Sequence, residues 1–357
     1  MSKWRNSNGL YLRLFGLLGK GTQRSDATGL LGFLPEQYVP CALRMLAYGA
    51  WADQLDELIR IGESTVLKTM KNFCNAIMRI FGPKYLRKPT RFDLEMLLAE
   101  NAARGFPGMI RSLDCMHWSW KNCPTAWAGA FKGKEKSKTV ILEAVASQTL
   151  WIWHAFYGTP GSNNDLNVLE RSPLLDDLVN STAPIVHFRV NGAVYDRAYY
   201  LTDGIYPAWE IFQKSISEPN SQKDKKFKTV HEAIRKDIER AFGVLQQRFR
   251  MLAVPCKLWS VNAMGEVVMT CIILHNMIIE DEISDSTLNN NYLYEDGRVS
   301  PAPPAPSATS AQRHPPHGTC PVTNIIQELL AVEDENSHFA LKNDLIEHIW
   351  LMFGDSK

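Results

Sequence analysis

RSLDCMHWSW, residues 111–120, sets Asp114 inside an apolar run, with Leu113 before it and Cys115, Met116, His117 and two tryptophans after it. A carboxylate is costly to bury unless positive charge holds it. The run begins at MIRSLDCMHW, and three further stretches share its richness in β-branched and aromatic residues: TVILEAVASQ (139–148), WIWHAFYG (151–158) and AVYDRAYYLTDG (193–204). Four strands are predicted, with Asp114 in the first. Gly-Pro punctuation in YGTPGSNND closes the third strand. NDLNVLERSPLLDDLV (164–179) then reads as a helix capped by Asn164 or Asp165. Helical periodicity returns in TVHEAIRKDIERAFGVLQQRF (229–249) and VNAMGEVVMTCIILHNMIIEDE (261–282). Strands interleaved with helices, then helices, predict an α/β sheet domain over residues 101–283.

Upstream, residues 1–100 read as helical. CALRMLAYGAWADQLDELIRI (41–61) has near-helical apolar spacing, and Gly62-Glu63-Ser64-Thr65 breaks it. VLKTMKNFCNAIMRIF (66–81) then puts Lys68, Lys71, Asn72 and Arg79 away from its apolar side. Helix, turn and basic-faced helix fit a helix-turn-helix for DNA and equally a plain packing hairpin. LYLRLFGLLG, interrupted by Arg13, is expected to be a short helix and not a signal peptide. Downstream, residues 284–320 read as a linker; their Pro/Ala/Ser-rich stretch, SPAPPAPSATSAQRHPPHG (300–318), cannot build a core of its own. Residues 321–357 read as one or two terminal helices able to dock on the body.

Composition narrows the class. A net charge of +1 and 45% hydrophobic residues are ordinary globular values and exclude a generally polybasic chain. Seven cysteines without a CxxC pair read as reduced thiols. No run reads as long enough to span a bilayer, so no membrane partner is expected.

Asp114 needs partners, and the candidates are Asp203, at the end of YYLTDG, and Glu239, beside the apolar stripe Ile234, Ile238, Ala241, Leu245. Three carboxylates are suited to hard cations such as Mg²⁺, and two such ions serve in-line substitution at phosphorus. By residue type alone the signal is weak, because the chain has 38 acidic residues and capping or ion pairing explains most of them. Two lysine clusters, Lys132, Lys134, Lys136 and Lys138, and Lys223, Lys225, Lys226 and Lys228, read as loops suited to phosphate. Solvated loops are the plainer reading. Arg235 and Arg240 either meet phosphate or pair within their helix. His117 reads as a hydrogen-bonded core histidine, Cys115 with His117 and Cys123 lacks a fourth zinc ligand, and Trp118, Trp120, Trp127, Trp151 and Trp153 read as core in preference to base-stacking surfaces.

Seven stretches in one order carry a family resemblance: RMLAYG (44–49), RIGEST (60–65), ARGFPGMIRSLDCMHWSWKNCPTAWAG (103–129), ILEAVASQTLWIWHAFYGTPGSNNDLNVLERSPL (141–174), YYLTDGIYPAW (199–209), RKDIERAFGVLQQRF (235–249) and CIILHNMIIEDE (271–282). The chain resembles the PIF/Harbinger superfamily of DDE transposases, particularly the plant-type transposon proteins, over roughly residues 24–283 and again near 338–350. The resemblance implies a ribonuclease H-like mixed sheet flanked by helices. In that arrangement the first acid lies on the first strand, the second at the end of the fourth and the third on a late helix, which are the places of Asp114, Asp203 and Glu239. Asp165, after the third strand, is the rival for second place. The implied activity is metal-dependent DNA cleavage by water and strand transfer by the freed 3′-hydroxyl, with two Mg²⁺ or Mn²⁺ ions per site. Transposon ends and target DNA, a separate Myb-like DNA-binding protein, a homo-oligomer and nuclear localisation follow as expectations. A domesticated copy that binds DNA or protein without cutting is the alternative. Asp196-Arg197, where more apolar residues are expected, and the proline-rich insertion depart from the family pattern.

Overall fold

In the computed structural model, residues 35–50, 62–133, 136–180, 183–294 and 335–354 are described. Three helices lead: α1 (Pro35–Tyr48), α2 (Glu63–Tyr85) and α3 (Arg91–Ala103). Strands β1 (Met109–Ser119), β2 (Thr139–Ala146) and β3 (Ile152–Pro160) follow, then the short helices α4 (Asp165–Leu169) and α5 (Asp176–Val179). A small hairpin, β4 (Phe188–Val190) with β5 (Ala193–Tyr195), precedes β6 (Tyr199–Thr202) and β7 (Phe212–Lys214). Three helices close the fold: α6 (Gln222–Arg248), α7 (Val261–Tyr294) and α8 (Glu335–Phe353).

The main sheet has the order β3-β2-β1-β6-β7. β1, β2 and β3 form an antiparallel meander, while β6 runs parallel to β1 and β7 parallel to β6. Side chains alternate across a strand, so the faces of β1 have different neighbours. Ser112 donates to the Ile234 carbonyl at 3.3 Å, Gln246 donates to the Met116 sulfur at 3.3 Å, and Trp118 donates to the Val254 carbonyl at 3.0 Å. That face, which includes Asp114, lies under α6 and its C-terminal extension. Leu113, on the other face, joins Val145, Leu169, Tyr206 and Phe212 in a separate cluster.

Burial follows the sequence patterns. α2 buries Val66, Met70, Phe73, Cys74, Ile77, Phe81 and Tyr85 against α1 and α7, and leaves Lys68, Lys71, Asn72 and Arg79 exposed as its periodicity predicts. One large core takes in α1, α2, the sheet, α6 and α7. Of the expected helix-turn-helix, the break at Gly62-Glu63-Ser64-Thr65 is the start of α2, with Gly62 before it and Glu63, Ser64 and Thr65 in its first turn, while the preceding 51–61 lie outside the described residues, as do the N-terminal run around Arg13 and the segment 300–318. The expected terminal helix is present as α8, which packs on α6, β4 and β7 and adds Leu341, Leu345 and Ile349 to a cluster with Phe227 and Ile234 of α6.

Four expectations need correction. AVYDRAYYLTDG is two strands, because the Asp196-Arg197 departure interrupts it: β5 pairs in the outlying hairpin and β6 enters the main sheet. NDLNVLERSPLLDDLV is two short helices, because Pro173 supplies no N–H to a continuing helix and Ser172 accepts from the Leu174 amide to restart the chain. Residues 223–228 are not a loop. They form the first turns of α6, begun by the capping box of Ser221 and Asp224. Finally, one helix, Val261–Ser284, is long and apolar enough to cross a bilayer. Most of it is enclosed by the core, so its apolar surface already has partners.

α7 also carries a polar hub. Asn276, fully buried, accepts from the Ile152 amide at 3.0 Å and donates to the carbonyls of Ile152 at 2.7 Å and Tyr85 at 2.9 Å. It thereby satisfies backbone groups at the start of edge strand β3 and the end of α2. Asn276→Leu removes three bonds while filling the space, and is expected to cost about 3 kcal/mol in urea unfolding. A change below about 0.5 kcal/mol would show that the hub is not needed.

Candidate active site

Asp114 reaches its neighbours through strand register. β1 and β6 are parallel with Ser112 opposite Leu201, so two residues further on Asp114 and Asp203 come level at the C-terminal end of β6. Asp203 is the first residue beyond that strand and accepts from the Ile205 amide at 3.1 Å, which fixes the turn. Asp165 is the first residue of α4, whose cap is Asn164 accepting from Asn167. Gly161 makes this approach feasible: a Cβ there would lie 2.0 Å from the Thr139 hydroxyl and 2.7 Å from its carbonyl, so only glycine lets the chain cross β2 so closely.

Glu239 projects from α6, one turn after Arg235. A single guanidinium joins the elements: Arg235 Nη1 lies 3.2 Å from Asp114 Oδ2, and Arg235 Nη2 lies 2.7 Å from Glu239 Oε1. Asp114 is therefore faced by Arg235 across the sheet–helix interface. Its other oxygen accepts from the Cys115 amide at 2.8 Å. These contacts do not fully offset the surroundings. Burial raises the Asp114 carboxyl from its ordinary 3.8 to about 6, the Cys115 amide and Arg235 pull it back, and the charges of Asp203 and Asp165 push it further up. Asp114, Asp203 and Asp165 thus share one electrostatic environment, with Glu239 tied in through Arg235.

The donor chemistry fits a hard divalent cation: every acid here offers carboxylate oxygens, and a cationic side chain already sits on two of them. Among the described residues, however, no three His, Cys, Asp or Glu side chains are gathered closely enough to hold an ion as they stand. Arg235 occupies the space between Asp114 and Glu239.

Other residues separate from this cluster. His117 bonds to the Thr139 hydroxyl at 2.9 Å, Cys115 lies 3.8 Å from the Tyr206 hydroxyl and Cys123 points to the Pro124 carbonyl, so the trio considered for zinc turns toward different partners. Trp118 and Trp120 are core, whereas Trp127 is 50% exposed and stacks on Phe131. Lys132 and Lys138 face each other across a tight loop, with Lys136 between them, and Lys134 lies outside the described residues. Lys223 pairs with Glu347 of α8 at 2.6 Å, and Lys228 donates to the Ser217 carbonyl, while Lys225 and Lys226 share the same helical turns. Arg240 pairs with Asp237, a buried acid also held by Arg104 at 2.7 Å. Three buried acids among the described residues gave no sequence signal: Asp237, Glu143 and Glu210, the last facing Arg197 at 3.6 Å. Asp237 follows no signal except its place on α6. Glu143 faces the opposite side of the sheet, where His154 at 3.1 Å and Ser172 hold it.

The raised Asp114 carboxyl has a consequence for stability. Between 3.8 and about 6 the folded protein binds a proton that the unfolded chain does not. Stability therefore falls as pH rises through that window, and the penalty is fully present above it. In chelator, Asp114→Asn is expected to stabilise the fold by about 1 to 2 kcal/mol near neutral pH, with the gain vanishing toward pH of about 4. Denaturant titrations across that range check it, and a destabilised variant at neutral pH would contradict it.

Comparison with known proteins gives this geometry a setting. The family model described as "Plant transposon protein" matches residues 83–286. The chain is similar to "Putative nuclease HARBI1" of Bos taurus, 21% identical over 270 residues that span 74% of this chain and 71% of that protein. It is also similar to "Protein ALP1-like" of Arabidopsis thaliana, 25% identical over 266 residues, spanning 71% of this chain but 63% of the plant protein. No solved structure matches the chain. The matched segment is more than half of the chain and contains Asp114, Asp165, Asp203 and Glu239, and the chain belongs to the plant transposon protein family of the PIF/Harbinger type.

Proposed function

We propose that the chain is a divalent-metal-dependent DNA endonuclease and transposase, with a ribonuclease H-like catalytic unit. The observation that carries this reading is the meeting of Asp114 and Asp203 on adjacent parallel strands, beneath the helix whose Arg235 ties in Glu239. The strand order β3-β2-β1-β6-β7, with its antiparallel meander and parallel strands, supports the same reading. So does the bovine relative, whose name is "Putative nuclease HARBI1".

Asp114, Asp203 and Glu239 would hold the Mg²⁺ or Mn²⁺ ions, two per working site, with Asp165 as the alternative to Asp203. Bound there, the ions would supply positive charge for in-line substitution at a phosphodiester. The chain's own residues prepare that event. The sheet fixes the aspartates through backbone register, α6 carries Glu239 over them, and burial under α6 limits the water that would weaken their charge. Lys132, Lys136 and Lys138 lie in the loop that follows β1, and Lys223, Lys225, Lys226 and Lys228 start the helix that carries Glu239; both groups, with Arg235 and Arg240, supply charge for the DNA backbone. Strand transfer would reuse the same carboxylates with a 3′-hydroxyl as the attacking group. Work on transposon ends implies a nuclear protein, a paired assembly and a separate Myb-like DNA-binding partner.

A second reading, DNA or protein binding without cleavage, is favoured by one observation: the carboxylates are engaged with Arg235 and are not preassembled as a ligand set among the described residues. Supercoiled plasmid with Mg²⁺ or Mn²⁺ separates the two. Wild type is expected to nick it, and Asp114→Asn and Glu239→Gln each to abolish nicking while retaining DNA binding. Binding by all three proteins with cleavage by none establishes the second reading.

DNA binding has its own signature. Replacing Lys132, Lys136 and Lys138 together by Gln is expected to flatten the plot of log affinity against log salt by about 2 to 3 units, roughly 0.9 for each phosphate that is no longer neutralised. An unchanged slope assigns these lysines to solvent alone.

A further inference from the structure

Arg235 has an arrangement that an ordinary helix ion pair does not explain. One of its nitrogens faces the sheet, 3.2 Å from Asp114, and another faces along α6, 2.7 Å from Glu239. The side chains of Arg235 and Asp114 are only 19% and 20% exposed, while Glu239 is more open at 44%. The guanidinium thus stands between two of the three acids assigned to the divalent ions. Asp203 and Asp165 add further negative charge around Asp114. Neither Asp237 nor Arg240 competes for this position, because Asp237 pairs with both Arg240 and Arg104 on another side of the helix.

A guanidinium bonded to a carboxylate oxygen takes the lone pairs and the space that an ion's coordination shell needs there, so Arg235 and a divalent ion compete for Asp114 Oδ2 and Glu239 Oε1. A partly buried cluster of acids, on the other hand, is unstable with no cation at all. We propose that Arg235 is a built-in counter-ion that holds the acid cluster together in the metal-free protein and is displaced from Asp114 and Glu239 when a divalent ion enters. The displaced guanidinium, on the same helix as Glu239, then has free donors for an anionic group such as a phosphate. The exchange couples filling of the site to exposure of a phosphate-binding side chain. This inference rests on the reading of the cluster as a divalent-ion site and adds to it the residue that guards that site.

The exchange has an unusual signature, because removing Arg235 acts in opposite directions on two quantities. In chelator, Arg235→Gln is expected to melt several degrees below wild type, since the acids lose their counter-ion. With Mn²⁺, measured by calorimetry and by the electron paramagnetic resonance of the free ion, the same variant is expected to bind on the order of tenfold more tightly than wild type. Saturating Mn²⁺ then closes the gap in melting temperature. Arg235→Lys, which keeps the charge, is expected to bind Mn²⁺ nearly as wild type does, and Asp114→Asn to lose binding at this site. Circular dichroism in chelator shows which variants are folded at the temperature of the titration.

A purely structural role for Arg235 would lower the melting temperature and leave Mn²⁺ affinity equal to or weaker than that of wild type; that result overturns the inference while the metal site itself stands. Absence of Mn²⁺ binding by wild type and Arg235→Gln alike, at millimolar ion, removes the metal site and the inference together.

Discussion

Concentrating negative charge on one side of a packed sheet is the constraint around which this molecule is arranged. Asp114 lies in the middle of the central strand, where a carboxylate has little access to water. Parallel pairing with β6 brings Asp203 level with it, and the passage through Gly161 delivers Asp165 to the same electrostatic neighbourhood. Each addition raises the cost of keeping Asp114 ionised. The fold answers with Arg235, drawn from the helix that also supplies Glu239. Attraction and repulsion are therefore built from the same few residues, and their balance leaves the Asp114 carboxyl well above the ordinary range. That is a stability cost, which the packing of α6 on the sheet has to offset.

The remaining elements keep α6 where this balance can operate. Its inner face buries Ile234, Ile238, Ala241 and Leu245, so the helix cannot rotate without exposing apolar surface. α8 packs alongside it through Leu341, Leu345 and Ile349, and the Lys223–Glu347 pair joins their exposed ends. On the other side α7 fills the core between α2 and the sheet, with Asn276 satisfying the backbone at the edge of β3. An apolar helix of that length would suit a bilayer by composition alone, but its neighbours have already taken up most of its surface. A charged site and a dry core are thus adjacent consequences of the same helix packing.

The sequence was most legible where one physical rule acted alone. Strands β1, β2 and β3 follow from β-branched and aromatic runs, and the buried stripe of α6 from spacings of three and four. Legibility failed where two rules competed. AVYDRAYYLTDG has strand propensity throughout, yet its charged middle separates a hairpin strand from a sheet strand. The lysines at 223–228 looked like a loop because charge outweighed the short capping signal of Ser221 and Asp224. Asp237 and Glu143 had no visible role, because their partners Arg104, His154 and Ser172 are distant in sequence.

What the sequence determined by itself was the inventory: which runs are strands, which helix face is apolar, which acids stand in unusual surroundings, and which family's motifs they form. Those properties are local, since they depend on side-chain size, periodicity and the identity of near neighbours. Only tertiary structure decided which acids share a site. Asp114 and Asp203 come together through a parallel strand register, and Arg235 finds Asp114 across a helix–sheet interface. Register and interface geometry are set by the joint packing of all the elements, so no segment carries them alone. Electrostatic coupling falls off with distance in space and is indifferent to distance along the chain, which is why the charge balance of this site could be named from its residues but resolved only in the fold.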